Sequence, residues 1–123
     1  MTLPVQVRFG DLDPLGHVNN VAFYSLMETA RVAFMTSQPP SIYGHVLVAR
    51  SECEYLAEIP GATRSVDITV SVEKVGTTSF TVLHEIRIGE RLVAVGRTVQ
   101  VVVGEDGRPR PLTDDEREQL GTS

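Results

Sequence analysis

The chain has 123 residues, a length at which one hydrophobic core and one domain are expected. Hydrophobic residues make up 41% and charged residues 22%, an ordinary globular balance that excludes disordered and fibrous classes. A net charge of −5 without any basic run gives no electrostatic footprint for a phosphate backbone, which argues against nucleic acid as a partner.

Cys53 is the only cysteine, so no internal disulfide can form, as suits a reducing compartment. Residues Met1 to Gln6 lack the basic segment and apolar run of a signal peptide. No apolar stretch approaches the roughly 18 residues that suggest a membrane span. The expectation is a cytoplasmic protein with no membrane partner.

Residues 4–9 alternate apolar and polar, the pattern of a short half-buried strand. Gly10 to Gly16 is dense in turn formers and reads as a loop. Asn19 and Asn20 are good helix N-caps, and about Val21 to Met35 contains neither Gly nor Pro. Phe23, Leu26, Met27, Ala30, Ala33 and Phe34 fall on one helical face. Only Ser25, Glu28 and Thr29 form a polar stripe, so the helix is expected to be buried over most of its circumference. Pro39-Pro40 closes it.

The remainder alternates with the period of strands. These are His45–Ile59, residues 66–73, Phe80–Ile86 after a hairpin at Gly76-Thr77-Thr78, and Leu92–Val103 after a turn at Gly89-Glu90. Gly96 interrupts the last strand, where a bulge or a close backbone approach is expected. The domain is expected to span 1–104, with 105–123 a polar tail ending in one weak helical turn. One helix and one sheet must bury each other, because neither hides its apolar face alone. The predicted fold is α+β: a long central helix wrapped by a curved five-stranded antiparallel sheet. Apolar residues left on sheet edges predict pairing with a second copy.

Residues 8–24 read Arg-Phe-Gly-Asp-Leu-Asp-Pro-Leu-Gly-His-Val-Asn-Asn-Val-Ala-Phe-Tyr. This stretch resembles the signature loop of hotdog-fold acyl-CoA thioesterases of the 4-hydroxybenzoyl-CoA thioesterase type: Asp-x-Asp, then Gly-His-Val-Asn-Asn and an aromatic. A weaker likeness runs over residues 4–103, including Tyr55, Ile59-Pro60 and Gly76…Ser79-Phe80. The resemblance implies a hotdog fold, hydrolysis of an acyl-CoA without a cofactor or metal, and assembly into a dimer or tetramer. It makes Asp13, the second acid of the pair, the catalytic carboxylate, and it puts the oxyanion donor at the backbone amide of about Asn20.

The chemistry agrees with that assignment. A thioester has a reactive carbonyl and a thiol leaving group of ordinary pKa about 8.5, so strong protonation of the leaving group is not demanded. A carboxylate attacks directly, giving a mixed anhydride, or activates water as a general base, and the sequence leaves both routes open. Free N–H groups at a helix start hold the developing oxyanion. Read without its neighbours, Asp13-Pro14 is ordinary turn chemistry. Asp11 reads as a structural partner, and His17 reads equally as a loop-orienting, substrate-contacting or proton-transferring group.

Asn19 reads as an N-cap, and the resemblance places it beside the substrate. The resemblance adds Tyr24, Thr77, Thr78 and Ser79 as substrate contacts, and Arg50 is a candidate for the CoA phosphates, with Arg64 and Lys74 as further cations. The family prototype carries basic residues before Ser79-Phe80 where this chain has Gly76-Thr77-Thr78, so an acyl carrier protein donor stays open. Glu28 is the competing acid, because other hotdog branches place theirs on the helix; its simpler reading is an exposed partner of Arg31. The resemblance to branches with the Gly-His-Val-Asn-Asn variant points to aliphatic acyl groups. The competing readings are a non-catalytic acyl-thioester sensor and an enoyl-thioester hydratase.

Overall fold

A computed structural model describes residues 1–121. Its elements are β1 (Thr2–Gln6), α1 (Asn20–Met35), β2 (Val46–Tyr55), β3 (Ser65–Val75), β4 (Ser79–Ile88), β5 (Arg91–Val102) and α2 (Asp114–Gly121). The five strands form one antiparallel sheet in the order β1-β3-β4-β5-β2. The helix packs on one face of this sheet, which is the α+β hotdog arrangement expected from the sequence. No helix among the described residues is long and apolar enough to cross a membrane.

Strand alternation sets the core. Val66, Ile68 and Val70 of β3, Phe80, Val82 and Ile86 of β4, and Ala94 and Val102 of β5 are buried. They meet Phe23, Leu26, Met27, Ala30 and Phe34 of α1, five of the six residues expected on its buried face. Each large side chain so buried stabilises the fold by roughly 1.5–3 kcal/mol. Gly96 is a close approach, since a Cβ there would collide with the Met27 thioether. The α1 helix has 16 residues, about 24 Å.

Three expectations change in the structure. The first strand is Thr2–Gln6 rather than 4–9, because the backbone turns at Arg8 into a single 3-10 turn over Phe9–Asp11. The Asp11 carboxylate drives that turn by accepting from the Arg8 backbone N–H at 2.8 Å. The helix is less enclosed than its composition suggests: Val21 is 74% exposed, and Tyr24 and Val32 are exposed beside it on the same side. Finally, β2 ends at Tyr55 rather than Ile59; it lies at the sheet edge, paired with β5. The nine-residue segment 56–64 therefore crosses from one side of the sheet to the other, passing the start of α1.

The segment after residue 104 is better anchored than its polarity suggests. Leu112 and Leu120 are buried in the core. The buried Glu116 carboxylate pairs with the Arg110 guanidinium at 2.8 Å and accepts from the Ser41 hydroxyl at 2.6 Å. Thr113 and Glu116 cap α2 reciprocally, the Glu116 side chain accepting from the Thr113 N–H and the Thr113 hydroxyl from the Glu116 N–H. Residues 122 and 123 of the expected tail lie outside the described residues.

Candidate active site

The loop between β1 and α1 is held closed by its own polar groups. Asp11 is buried, bonded to the Arg8 backbone and guanidinium, and its carbonyl accepts from the Asn19 N–H at 2.7 Å. Leu12 and Val18 bridge across the loop, and the Asp13 N–H donates to the His17 carbonyl at 2.8 Å. Gly16, at φ 81°, supplies the left-handed residue that the reversal needs. Asp11 thus has the structural role read from the sequence.

Asp13 stands at the tip of this frame. Its Oδ1 accepts from the Leu15 N–H at 2.9 Å and from the His17 N–H at 3.1 Å, which fixes the carboxylate's direction. Its Oδ2 has no hydrogen-bond partner among the described residues. One oxygen orients the group and the other stays available.

The start of α1 lies alongside. The Asn19 side chain accepts from the Val21 N–H at 2.8 Å, and its carbonyl accepts from the Ala22 N–H at 2.9 Å. Among the described residues no acceptor takes the Asn20 N–H, so the positive end of the helix presents a free donor. The Tyr55 hydroxyl donates to the Asn20 carbonyl at 2.9 Å, and the Tyr55 ring meets Phe23 edge-on at 4.9 Å. Burial, with Cys53 and Tyr24 close by, pushes the Tyr55 phenol up to about 12, so it stays a neutral donor.

The crossing segment builds the opposite wall. The Leu56 and Ala57 N–H groups both donate to the Val93 carbonyl, the Val18 N–H donates to the Ile59 carbonyl, and His17 bridges to Pro60. Gly61 lies so close under the loop that a Cβ would collide with the Gly16 carbonyl oxygen. His17 Nε2 is 3.4 Å from a Glu58 carboxylate oxygen. Between the walls is a cleft of about 470 Å³ lined by Asp13, His17, Asn19, Asn20, Tyr55 and Glu58, among others.

Four residues singled out from the sequence, Asp13, His17, Asn19 and Asn20, therefore share one cleft. Tyr24 neighbours Tyr55 but lies outside the cleft lining. Arg50 is on the polar side of the sheet, 3.4 Å from Glu52 and near Lys74 and Arg97. Thr77, Thr78 and Ser79 form the β3–β4 hairpin, which the carboxy-terminal segment braces through Leu112 N–H to Thr77 O at 2.9 Å and Arg117 to Gly76 O at 2.7 Å. One chain does not bring Arg50 or this hairpin to Asp13. Glu28 is also outside the cleft, its side chain 68% exposed and 3.8 Å from Arg31. Glu58 and Gly61 were not singled out from the sequence; the turn chemistry of Ile59-Pro60-Gly61 was their only signal. No group of three or more His, Cys, Asp or Glu side chains able to hold a metal occurs among the described residues.

Comparisons with known proteins agree with this frame. A family model described as thioesterase-like superfamily matches residues 7–120. The uncharacterized protein YsmA of Bacillus subtilis (strain 168) is 32% identical over 124 residues, covering 94% of this chain and 82% of that protein. A thioesterase from Thermus thermophilus, solved in complex with coenzyme A and Zn, is 38% identical with a TM-score of 0.87 over 97% of this chain and 95% of its own. A predicted thioesterase from Bacillus stearothermophilus superposes with the same TM-score at 28% identity, over 98% of this chain and 93% of its own. The chain belongs to the thioesterase-like superfamily.

Proposed function

We propose that the protein is a cytoplasmic acyl-CoA thioesterase of the 4-hydroxybenzoyl-CoA thioesterase type, acting on an aliphatic acyl group. The observation that carries this reading is the shared cleft of Asp13, with one carboxylate oxygen free, and Asn20, with its backbone N–H free. In this reading the thioester carbonyl oxygen takes the Asn20 N–H and Asp13 Oδ2 faces the acyl carbon. Asp13 attacks the carbon and expels the CoA thiolate, leaving a mixed anhydride that water opens; alternatively, it takes a proton from the water that attacks. Both routes yield the free acid and CoA. An oxyanion donor of this kind contributes about 3–4 kcal/mol to the transition state. His17, paired with Glu58, flanks the cleft as an orienting or proton-transferring group, and Asn19 contacts substrate as it caps the helix.

A second copy is part of the proposal. β2 is an edge strand, and Leu47, Val48 and Leu56 on or beside it are exposed, as are Val21, Tyr24 and Val32 of α1. Apolar rows along an unpaired edge favour self-association into a dimer or tetramer. In that assembly Tyr24, Arg50, Thr77, Thr78 and Ser79 serve as CoA contacts to a cleft they do not reach within one chain. The relative solved with coenzyme A supports CoA as the donor.

Thiol release from acetyl, medium-chain, long-chain and aromatic CoA thioesters, and from the matching acyl carrier protein thioesters, tests the reading. Turnover is expected to favour aliphatic CoA substrates. Exclusive use of carrier-protein thioesters would replace the donor, and saturable binding with no turnover of any thioester would replace the enzyme by a sensor.

A further inference from the structure

The carboxy-terminal segment grips the β3–β4 hairpin by its carbonyl groups. The Arg117 guanidinium donates to the Gly76 carbonyl at 2.7 Å, and the Leu112 N–H donates to the Thr77 carbonyl at 2.9 Å. The next carbonyl, of Thr78, accepts from the Val102 N–H at 2.9 Å. Three successive carbonyls are therefore drawn inward. In a trans peptide the N–H points opposite to the carbonyl of the preceding residue, so the Thr77 and Thr78 N–H groups turn away from the groups that hold their neighbours. Neither N–H has an acceptor among the described residues, and the hydroxyls of Thr77, Thr78 and Ser79 have no partner there either. Thr77 itself is exposed.

The α2 helix is fixed independently of the hairpin. Leu120 is buried, and Glu116 is tied to Arg110 and Ser41, so Arg117 projects from a rigid support. No carboxylate pairs with its guanidinium among the described residues, which leaves a positive charge beside the hairpin in a chain of net charge −5. Successive free backbone N–H groups make an anion-binding concavity, and hydroxyls with a nearby cation suit it to phosphate oxygens. We infer that Arg117 is a positioning residue: by holding the Gly76 carbonyl it keeps the hairpin's N–H and hydroxyl groups turned out to receive a phosphate on the substrate's pantetheine arm. The inference rests on the thioesterase reading for the nature of its ligand. It adds how Gly76-Thr77-Thr78, a turn with no basic side chain of its own, holds an anion.

Thiol release by the full chain from the octanoyl thioesters of CoA, phosphopantetheine and N-acetylcysteamine tests the inference, since the last carries no phosphate. Arg117→Met should raise KM for octanoyl-CoA by ~5- to 10-fold, the low end of what a charge-assisted hydrogen bond supplies, with kcat little changed. For the N-acetylcysteamine thioester, kcat/KM should stay at the wild-type value, which a merely structural lesion would not allow. Arg117→Lys, which keeps a donor for the Gly76 carbonyl, should recover most of the loss. A rise in KM shared by the phosphopantetheine thioester places the phosphate next to pantetheine, and a rise confined to CoA places it on the nucleotide; either result supports the inference. An unchanged KM for octanoyl-CoA in Arg117→Met, or an equal loss with the phosphate-free thioester, would overturn it. Should the wild type hydrolyse none of the three, the thioesterase reading fails, and calorimetric titration with CoA against pantetheine decides the role of Arg117 alone. Weaker CoA binding in Arg117→Met with unchanged pantetheine binding would then support the inference; equal CoA binding, or none by the wild type, would overturn it.

Discussion

Replacing Gly61 by Ala should cripple the enzyme without touching a reacting group. The added methyl would occupy the space of the Gly16 carbonyl oxygen, which is backbone and cannot rotate away like a side chain. Restoring an ordinary contact requires the crossing segment and the loop to separate by on the order of an ångström, and a misplacement of that size costs up to ~100-fold in rate. Gly16 lies inside the turn that Asp13 caps, so the movement is transmitted to Asp13 Oδ1 and its two N–H partners. Overpacking costs about 1–3 kcal/mol, partly offset by the roughly 0.4–1 kcal/mol gained when Ala stiffens the unfolded chain. The expected variant is folded, about 1–2 kcal/mol less stable in urea, and ~10- to 100-fold slower in thiol release. Gly10→Ala is the control, since a Cβ there meets nothing within 4 Å. If Gly61→Ala released thiol as fast as Gly10→Ala, the crossing segment would not be positioning the loop, and the coupling between them would be refuted.

Other parts of the fold respond differently. Glu116→Gln should cost about 2–3 kcal/mol in chemical denaturation, the worth of hydrogen bonds to a buried charge. The Arg110 guanidinium beside Glu116 holds its carboxyl well below the usual range, so the stabilisation is present above the ordinary glutamate pKa and is lost as pH falls from there through the depressed value. The acid limb of the stability profile should flatten in the Gln variant. His84 acts in a higher window. Burial lowers its pKa from 6.5 to about 4, so below pH 6.5 the unfolded chain binds the proton first and stability falls by about 3 kcal/mol down to pH 4. His84→Leu should remove most of that loss; an unchanged profile between those pH values would contradict it. Asn19→Ala removes the acceptor for the Val21 N–H and should lower thermal stability by about 1 kcal/mol.

The loop residues of the candidate cleft were easier to pick out from the sequence than its walls. Asp13, His17, Asn19 and Asn20 are contiguous in a loop-to-helix turn, so their convergence needs only local geometry. The facing wall comes from residues 56–61, and it depends on β2 lying at the far edge of the sheet beside β5. Alternation marks β2 as a strand but does not reveal its neighbour, because the period of two is the same at every position in a sheet. The carboxy-terminal helix was legible only as one weak turn, short of the eight residues it spans. Its composition is polar, yet Leu120 and the Arg110–Glu116 pair anchor it, and Thr113-Asp114-Asp115-Glu116 carried the capping pattern that announces it. The exposed Val21, Tyr24 and Val32 misled the helix reading because apolar residues on a helix look like core in a single sequence whether or not the sheet covers them.

The most direct test is kcat for a medium-chain acyl-CoA in wild type, Asp13→Asn and Glu28→Gln, with folding checked by circular dichroism. Asp13→Asn should keep its turn hydrogen bonds and lose at least ~100-fold in kcat, while Glu28→Gln stays near wild type. Full turnover without the Asp13 carboxylate, and its loss without that of Glu28, would contradict the account and move the chemistry onto the helix.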